Sequence, residues 1–163
     1  MSIALVSAPP LVLSFGSGCS EIYHVLQAQL RNAQRHSEQS YVLGWREELR
    51  NQLVESVREG SIEGWDGYGA KSVTPLAIAT AEHIINLLPE TSLPPDIVPT
   101  PSGEIAFEWH CGNDYLFSLV THQGLLIYAG LLGPERKQHG QEPLGDTLPQ
   151  TIETILETYF SKS

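Results

Sequence analysis

The sequence has few cysteines, few basic residues and no long apolar run, and each shortage excludes a class of protein. Two cysteines among 163 residues cannot supply the disulfide framework of a small secreted domain. The apolar residues 3–15 are interrupted by Pro9 and Pro10 and lack the basic leader of a signal peptide. No run approaches the roughly 20 apolar residues that a membrane-spanning helix requires. We therefore expect a cytoplasmic protein without a membrane segment.

Basic residues are scarce and unevenly placed. The chain has nine lysines and arginines against 19 aspartates and glutamates, a net charge of −10. Residues 61–163 hold only four of the basic residues but 13 of the acidic ones. This part of the chain would repel nucleic-acid phosphates, so we expect no direct nucleic-acid binding there. An acidic surface suits a basic protein partner, or it simply keeps the protein in solution.

The first 59 residues predict an N-terminal arm followed by a helical hairpin. Apolar residues at helical spacing predict one helix from about residue 20 to 36 and a second from about 40 to 59. Two amphipathic helices joined by a few polar residues are typical of a helical hairpin. Gly60 ends the second helix. We therefore divide the chain into residues 1–59, the arm and hairpin, and residues 60–163, an α+β domain.

The remaining chain predicts a central helix, a meander of strands and a C-terminal helix. Thr74 and Pro75 are typical of a helix start, and the helix is expected to end at about Leu88, before a proline-rich connection. Strand character is found in residues 104–109, 115–121 and 125–131, with Ile97 and Val98 as a fourth, short candidate. Short turns between the runs predict an antiparallel meander of three or four strands. Residues 133–146 are predicted to be a polar loop, and a last helix is expected over about residues 148–160, capped by Asp146 or Thr147.

The first strand of this meander has a clear alternation. The apolar side chains of Ile105, Phe107 and Trp109 fall on one face. The other face holds two carboxylates, Glu104 and Glu108, with Ala106 between them. Since neighbouring side chains of a strand point to opposite faces, the carboxylate face is expected to be exposed to solvent.

Two motifs between residues 60 and 132 are distinctive. They are Gly64-Trp65-Asp66-Gly67-Tyr68-Gly69-Ala70, and Pro99-Thr100-Pro101-Ser102-Gly103-Glu104-Ile105 followed by Glu108-Trp109. Together with the Thr-Pro helix start, they resemble a family of small uncharacterised bacterial proteins that have a GWDGxGA loop and a PTPxGxIxxEW strand start. The resemblance implies a bacterial, cytosolic protein and no particular activity.

The GWDGYGA loop is the most unusual local feature. Its glycines permit positive φ angles, and Asp66 can accept hydrogen bonds from backbone amides in an Asx turn. Trp65 and Tyr68 could then form an aromatic contact surface, because these residue types often anchor interfaces. The alternative is a tight connection in which Trp65 fills a position in the core. The candidate binding residues are Trp65, Asp66, Tyr68 and, at the end of the first strand run, Trp109.

No pattern specifies a catalytic or metal site. His110 and Cys111 are adjacent at a predicted strand end, with Asp114 a few residues later. Adjacent residues of a strand point to opposite faces, which disfavours their use as base and nucleophile. His122 and His139 fall in predicted turns, and no spacing indicates metal ligands there. We expect neither a cofactor nor a metal.

Three functions remain open at this point. We favour a protein-binding or regulatory module of a bacterial cytosolic system, with a protein partner and with homodimerisation as an open alternative. The second hypothesis is a small hydrolase-like enzyme that uses His110 and Asp114. The third is an acidic mimic that blocks a nucleic-acid-binding protein, a contact that salt would weaken strongly.

Overall fold

The computed structural model describes residues 44–162. Two compact units divide the chain, residues 1–40 and residues 41–163, so the helix that ends before Gly60 belongs to the second unit. The helix predicted over residues 20–36, and with it the helical hairpin, lies outside the described residues. No helix in the described part is long and apolar enough to span a membrane.

The described residues have an α+β architecture with three helices and one antiparallel sheet. The helices are α1 (residues 44–59), α2 (Pro75–Leu87) and α3 (Gln150–Tyr159). The strands are β1 (Asp96–Pro99), β2 (Ile105–Cys111), β3 (Tyr115–His122), β4 (Leu125–Leu132) and β5 (Lys137–Pro143). The strands lie side by side in chain order, and every neighbouring pair is antiparallel. The strands therefore form an antiparallel meander, as the short turns predicted.

The sheet has five strands, whereas the sequence predicted three or four. The additional strand, β5, lies within residues 133–146, which were expected to be a loop. Its sequence lacks apolar alternation because it is an edge strand without a fully buried face. Gly140 lies beneath the ring of Tyr128, where an added Cβ would come within 2.5 Å of the tyrosine hydroxyl. Backbone pairing with β4 therefore defines this strand, and hydrophobic periodicity cannot reveal it.

Helix α2 begins as the sequence predicted. The Thr74 hydroxyl oxygen accepts a hydrogen bond from the Ala77 amide at 3.1 Å, and Pro75 occupies the first helical position. By contrast, Pro149 precedes α3, and no side chain caps that helix. The predicted caps Asp146 and Thr147 are therefore wrong.

The core lies between one face of the sheet and the helices. The predicted inward face of β2 is confirmed, since Ile105, Phe107 and Trp109 are at most 1% exposed. The helices contribute Trp45, Leu49 and Leu53 from α1, Ala77, Ala81, Ile84 and Ile85 from α2, and Ile152, Ile155 and Leu156 from α3. Burying a large apolar side chain contributes roughly 1.5–3 kcal/mol. Because the helices and the sheet share this core, the ends of the loops that connect them are held in place.

The opposite face of the sheet is mixed in character. Leu116 on β3 and Ile127 on β4 are each 40% exposed. On β2 the expected solvent-exposed face is wrong at Ala106, which is only 3% exposed. The Glu104 side chain is also largely covered, at 19% exposure, because His122 lies against it.

Candidate functional site

The GWDGYGA motif forms a loop that closes on itself between α1 and α2. The Gly64 amide donates to the Ala70 carbonyl at 2.7 Å, and the Gly67 amide donates to the Gly64 carbonyl at 2.8 Å. Gly64, Gly67 and Gly69 all have positive φ angles, of 74°, 78° and 94°. Side chains with a Cβ rarely adopt these angles, so the glycines allow the chain to close within seven residues.

Asp66 fixes the tip of this loop. Its carboxylate accepts hydrogen bonds from the backbone amides of Tyr68 at 2.8 Å and of Ala70 at 3.0 Å, which confirms the predicted Asx turn. These bonds, the one from Tyr68 foremost, hold the pKa of the Asp66 carboxyl below its ordinary value because they stabilise the charged form. Asp66 therefore positions the loop, and Tyr68 within it.

We expect Asp66→Ala to lower the melting temperature at about pH 7, because both hydrogen bonds are lost. The folded-state pKa lies below the unfolded value of about 3.9. The contribution of the carboxylate is therefore complete above that value and is lost as the pH falls through the folded pKa. The melting temperatures of wild type and Asp66→Ala should therefore converge as the pH falls below the unfolded-state pKa. Asp66→Asn, which keeps an acceptor oxygen, should lose less at about pH 7. A difference between wild type and Asp66→Ala that did not change with pH would contradict this role.

The loop is anchored on the second sequence motif. The Lys71 amide donates to the Pro101 carbonyl at 2.9 Å, and the Thr74 amide donates to the Gly103 carbonyl at 3.1 Å. Gly103 has a φ of 89°, and an added Cβ would lie 2.7 Å from the Ser72 carbonyl oxygen. The two motifs that carry the sequence resemblance are thus one packed unit in the structure.

The loop holds its two aromatic side chains differently. Trp65 is half-buried, and its indole Nε1 donates to the Lys71 carbonyl at 3.3 Å. Tyr68, at the tip, is 96% exposed. The same segment carries Ile62, which is 71% exposed. The structure therefore places a tyrosine in solvent on a loop whose backbone is fixed by hydrogen bonds.

Trp109, the fourth predicted binding residue, lies in the core. It is 1% exposed, and its indole Nε1 donates to the Leu93 carbonyl at 2.9 Å. Its ring centroid is 5.7 Å from that of Phe117. Since a partner cannot touch a side chain buried in this way, the structure assigns Trp109 to packing and separates it from the loop.

The residues of the hydrolase hypothesis lie around the turn between β2 and β3. His110, Cys111 and Asp114 are all exposed. The His110 imidazole lies beside the carboxylate of Glu108, with 3.6 Å between His110 Nε2 and Glu108 Oε2. A solvent-exposed site lacks the dry, preorganised surroundings that strengthen catalytic electrostatics. The hydrolase hypothesis stays a prediction without support from this geometry.

A histidine–carboxylate pair that the sequence analysis missed lies at the other end of the same hairpin. His122 Nδ1 contacts Glu104 Oε1, and the other oxygen of that carboxylate accepts from the Ser102 hydroxyl. The pair lines a cavity of about 230 Å³ beside the start of α2. Because the serine contacts the carboxylate and not the imidazole, the three groups do not have the nucleophile–base–acid order of a catalytic triad. Continued by two residues, the register that pairs Ala106 with Val120 brings positions 104 and 122 opposite each other, so knowledge of the register would have predicted the contact.

A groove of about 650 Å³ lies between α1 and β1. Its lining includes five carboxylates: Glu48, Glu55, Glu59, Asp96 and Glu108. Two of them have a close basic neighbour among the ion pairs of the described residues, since Arg58 lies 2.8 Å from Glu55 and His110 lies 3.6 Å from Glu108. This groove is more acidic than the cavity beside the start of α2, where Glu104 is the one lining carboxylate.

Among residues 44–162, histidine, cysteine and acidic side chains form no group of three or more that could hold a metal ion. A scan against protein-family models found no match, and searches of curated proteins and of solved structures found none either.

Proposed function

We propose that the chain is a protein-binding or regulatory module of a bacterial cytosolic system, with Tyr68 as an anchor of the contact. The observation that carries this proposal is the 96% exposure of Tyr68 on a loop closed by its own backbone hydrogen bonds. Tyrosine offers a large apolar area and one hydroxyl, and it loses little rotamer entropy when a partner covers it.

The loop also supports the proposal by being preorganised. Asp66, through its two hydrogen bonds, and Trp65, through its bond to Lys71, limit the conformations available to the loop. A partner that binds Tyr68 would therefore have little ordering entropy left to overcome. The fold would act as the support, and the loop as the contact.

We expect Tyr68→Ala to remove most of the binding and to leave the fold intact. An almost fully exposed side chain adds little to packing, so the melting temperature should stay within about 1 °C of wild type. Loss of a central aromatic anchor should weaken binding by at least about tenfold. Tyr68→Phe, which keeps the ring, is the matched control. Val54→Ala is the second control. It removes an exposed apolar side chain on α1, away from the loop, where Val54 is 58% exposed.

The experiment is affinity capture by the tagged full chain from cells that express it, with quantitative mass spectrometry of each variant. The proposal expects one stoichiometric protein that wild type, Tyr68→Phe and Val54→Ala retain and that Tyr68→Ala loses. Equal capture by all four proteins would contradict the role of Tyr68. Loss of capture in parallel with a fall in melting temperature would assign the residue to folding.

A second candidate function uses the acidic groove between α1 and β1. Its five carboxylates would suit a mimic that blocks a nucleic-acid-binding protein. Raising the salt separates the two candidates, because screening weakens contacts between exposed charges far more than apolar contacts. A partner held mainly by Tyr68 should stay bound in about 0.5 M NaCl, whereas a partner held by the groove should be released.

A further inference from the structure

The two edges of the sheet differ in how they are protected. β1 has four residues and ends at Pro99, and the Ile97 carbonyl accepts a hydrogen bond from the Ser56 hydroxyl of α1. β5 has seven residues and, among the described residues, pairs only with β4. An edge strand with unpaired backbone groups is a template for a further strand. The β5 edge is therefore the side of the sheet that can be extended.

The register shows which backbone groups of β5 are available. The Leu132 amide donates to the Arg136 carbonyl at 2.7 Å, and the Leu144 amide donates to the Gly124 carbonyl at 2.9 Å. Even-numbered residues of β5 thus direct their backbone groups toward β4, and odd-numbered residues direct theirs away from it. The outward groups belong to Lys137, His139, Gln141 and Pro143. Since proline lacks an amide, they comprise three donors and four acceptors.

A groove runs beside this edge and would receive the side chains of an added strand. It has a volume of about 480 Å³ and lies between β5 and α3. The α3 wall is formed by uncharged residues at helical spacing, among them Thr151, Thr154 and Thr158. Ile155, at its floor, is 3% exposed. Alternate side chains of a strand paired with β5 would point into this groove, as in peptide recognition by strand addition.

The charge at one end of the groove selects the chemistry of the added segment. Arg136 lines the groove and donates to the Tyr159 hydroxyl at 2.8 Å, and Lys137 follows it in an exposed position. These two residues are half of the four lysines and arginines after residue 60. Among the described residues, no carboxylate lines the groove: Glu153 and Glu157 of α3 are not part of its lining, nor are Glu135, which precedes Arg136, and Glu142, near the other end of β5. A positive charge disfavours basic strands here and favours a segment that carries carboxylates.

We propose that β5 and α3 form a second interaction site, which takes an extended acidic segment of a partner protein as a sixth strand. The backbone of that segment pairs with the outward groups of Lys137, His139 and Gln141. Its carboxylates lie beside Arg136 on the groove side and beside Lys137 on the opposite face. This site uses no residue of the Tyr68 loop, so it stands or falls independently of that contact.

A displayed library of random twelve-residue peptides, screened against the full chain, provides the probe. The selected peptides should carry aspartate or glutamate near one end and β-branched residues at alternate positions, without a central proline. Fluorescein-labelled versions of these peptides then give affinities by fluorescence polarisation. Recovery of no peptide, or of basic or proline-centred peptides only, would overturn the proposal.

Two substitutions at one position separate backbone pairing from side-chain contact. His139→Pro removes an outward amide, and the register predicts that it costs no hydrogen bond to β4. We expect it to weaken peptide binding by about tenfold or more, whereas His139→Ala, which keeps the amide, should bind about as wild type does. Lys137→Glu should weaken acidic peptides about three- to tenfold. Equal affinity of His139→Pro and His139→Ala, with both folded, would overturn the proposal.

Amide hydrogen exchange in the wild-type chain tests the same pairing without relying on a folded proline variant. The bound peptide should slow exchange at Lys137, His139 and Gln141, the alternate outward amides. Slowing elsewhere only would overturn the proposal. So would slow exchange of these amides before peptide is added. If that protection depends on protein concentration, a second copy of the chain occupies the edge.

Discussion

Trp109→Ala is expected to destabilise the protein by about 3–5 kcal/mol, the range for truncating a large buried aromatic side chain. Trp109 packs between Phe107 and Phe117, with ring centroids at 6.4 and 5.7 Å. The substitution leaves a cavity there and also leaves the Leu93 carbonyl without its indole donor. Since a domain is usually stable by about 5–15 kcal/mol, this is a large share of the total. Urea unfolding, followed by circular dichroism, measures it.

Trp65→Ala is the matched control for Trp109→Ala, because it truncates a tryptophan outside the core. Trp65 is only half-buried, and its single hydrogen bond is long, at 3.3 Å, so we expect a loss of about 1–2 kcal/mol. Trp109→Phe, which keeps an aromatic ring in the core, allows the comparison if the alanine variant does not fold. Equal losses for Trp65→Ala and Trp109→Ala would show that the two tryptophans have been assigned the wrong roles.

Gly103→Ala should also have a large effect, a loss of about 2–5 kcal/mol of stability. The positive φ of Gly103 costs an alanine about 1–2 kcal/mol. The added Cβ would also lie 2.7 Å from the Ser72 carbonyl oxygen, a backbone atom that moves only if the loop moves, and such crowding typically costs about 1–3 kcal/mol. Thermal or urea unfolding measures the sum.

Gly112→Ala separates the cost of the positive φ from the cost of crowding by the added Cβ. Gly112 also has a positive φ, of 64°, but nothing lies within 4 Å of an added Cβ, so only the conformational term remains. The excess loss in Gly103→Ala then reports the close packing of the two motifs against each other. If the two variants lost equal stability, the contact between Gly103 and Ser72 would contribute nothing.

Elements with strong local signals were predictable from the sequence. The Thr74 cap and Pro75 indicated the start of α2, as the structure has it. Strict alternation gave the inward face of β2. In both cases one short segment contains the whole physical cause, either a cap or a repeat with the period of the element. The Asx turn at Asp66 was predictable for the same reason.

The features that were missed depend on pairing between distant segments. β5 contains no apolar periodicity, and its pairing with β4 follows from register and from Gly140 beneath Tyr128. His122 and Glu104 meet only because the β2–β3 hairpin has one particular register. An aromatic contact surface of Trp65 and Tyr68 could not be separated from a loop whose Trp65 fills the core, because composition does not say which loop residue faces solvent.

The most direct test of the central claim is the dissociation constant of the captured partner, measured by calorimetry with wild type, Tyr68→Phe and Tyr68→Ala at matched folded fractions. The account predicts that Tyr68→Ala weakens the affinity by at least about tenfold, that Tyr68→Phe retains most of it, and that all three melt within about 1 °C of one another. Equal dissociation constants for wild type and Tyr68→Ala would contradict the claim that this loop is the binding surface.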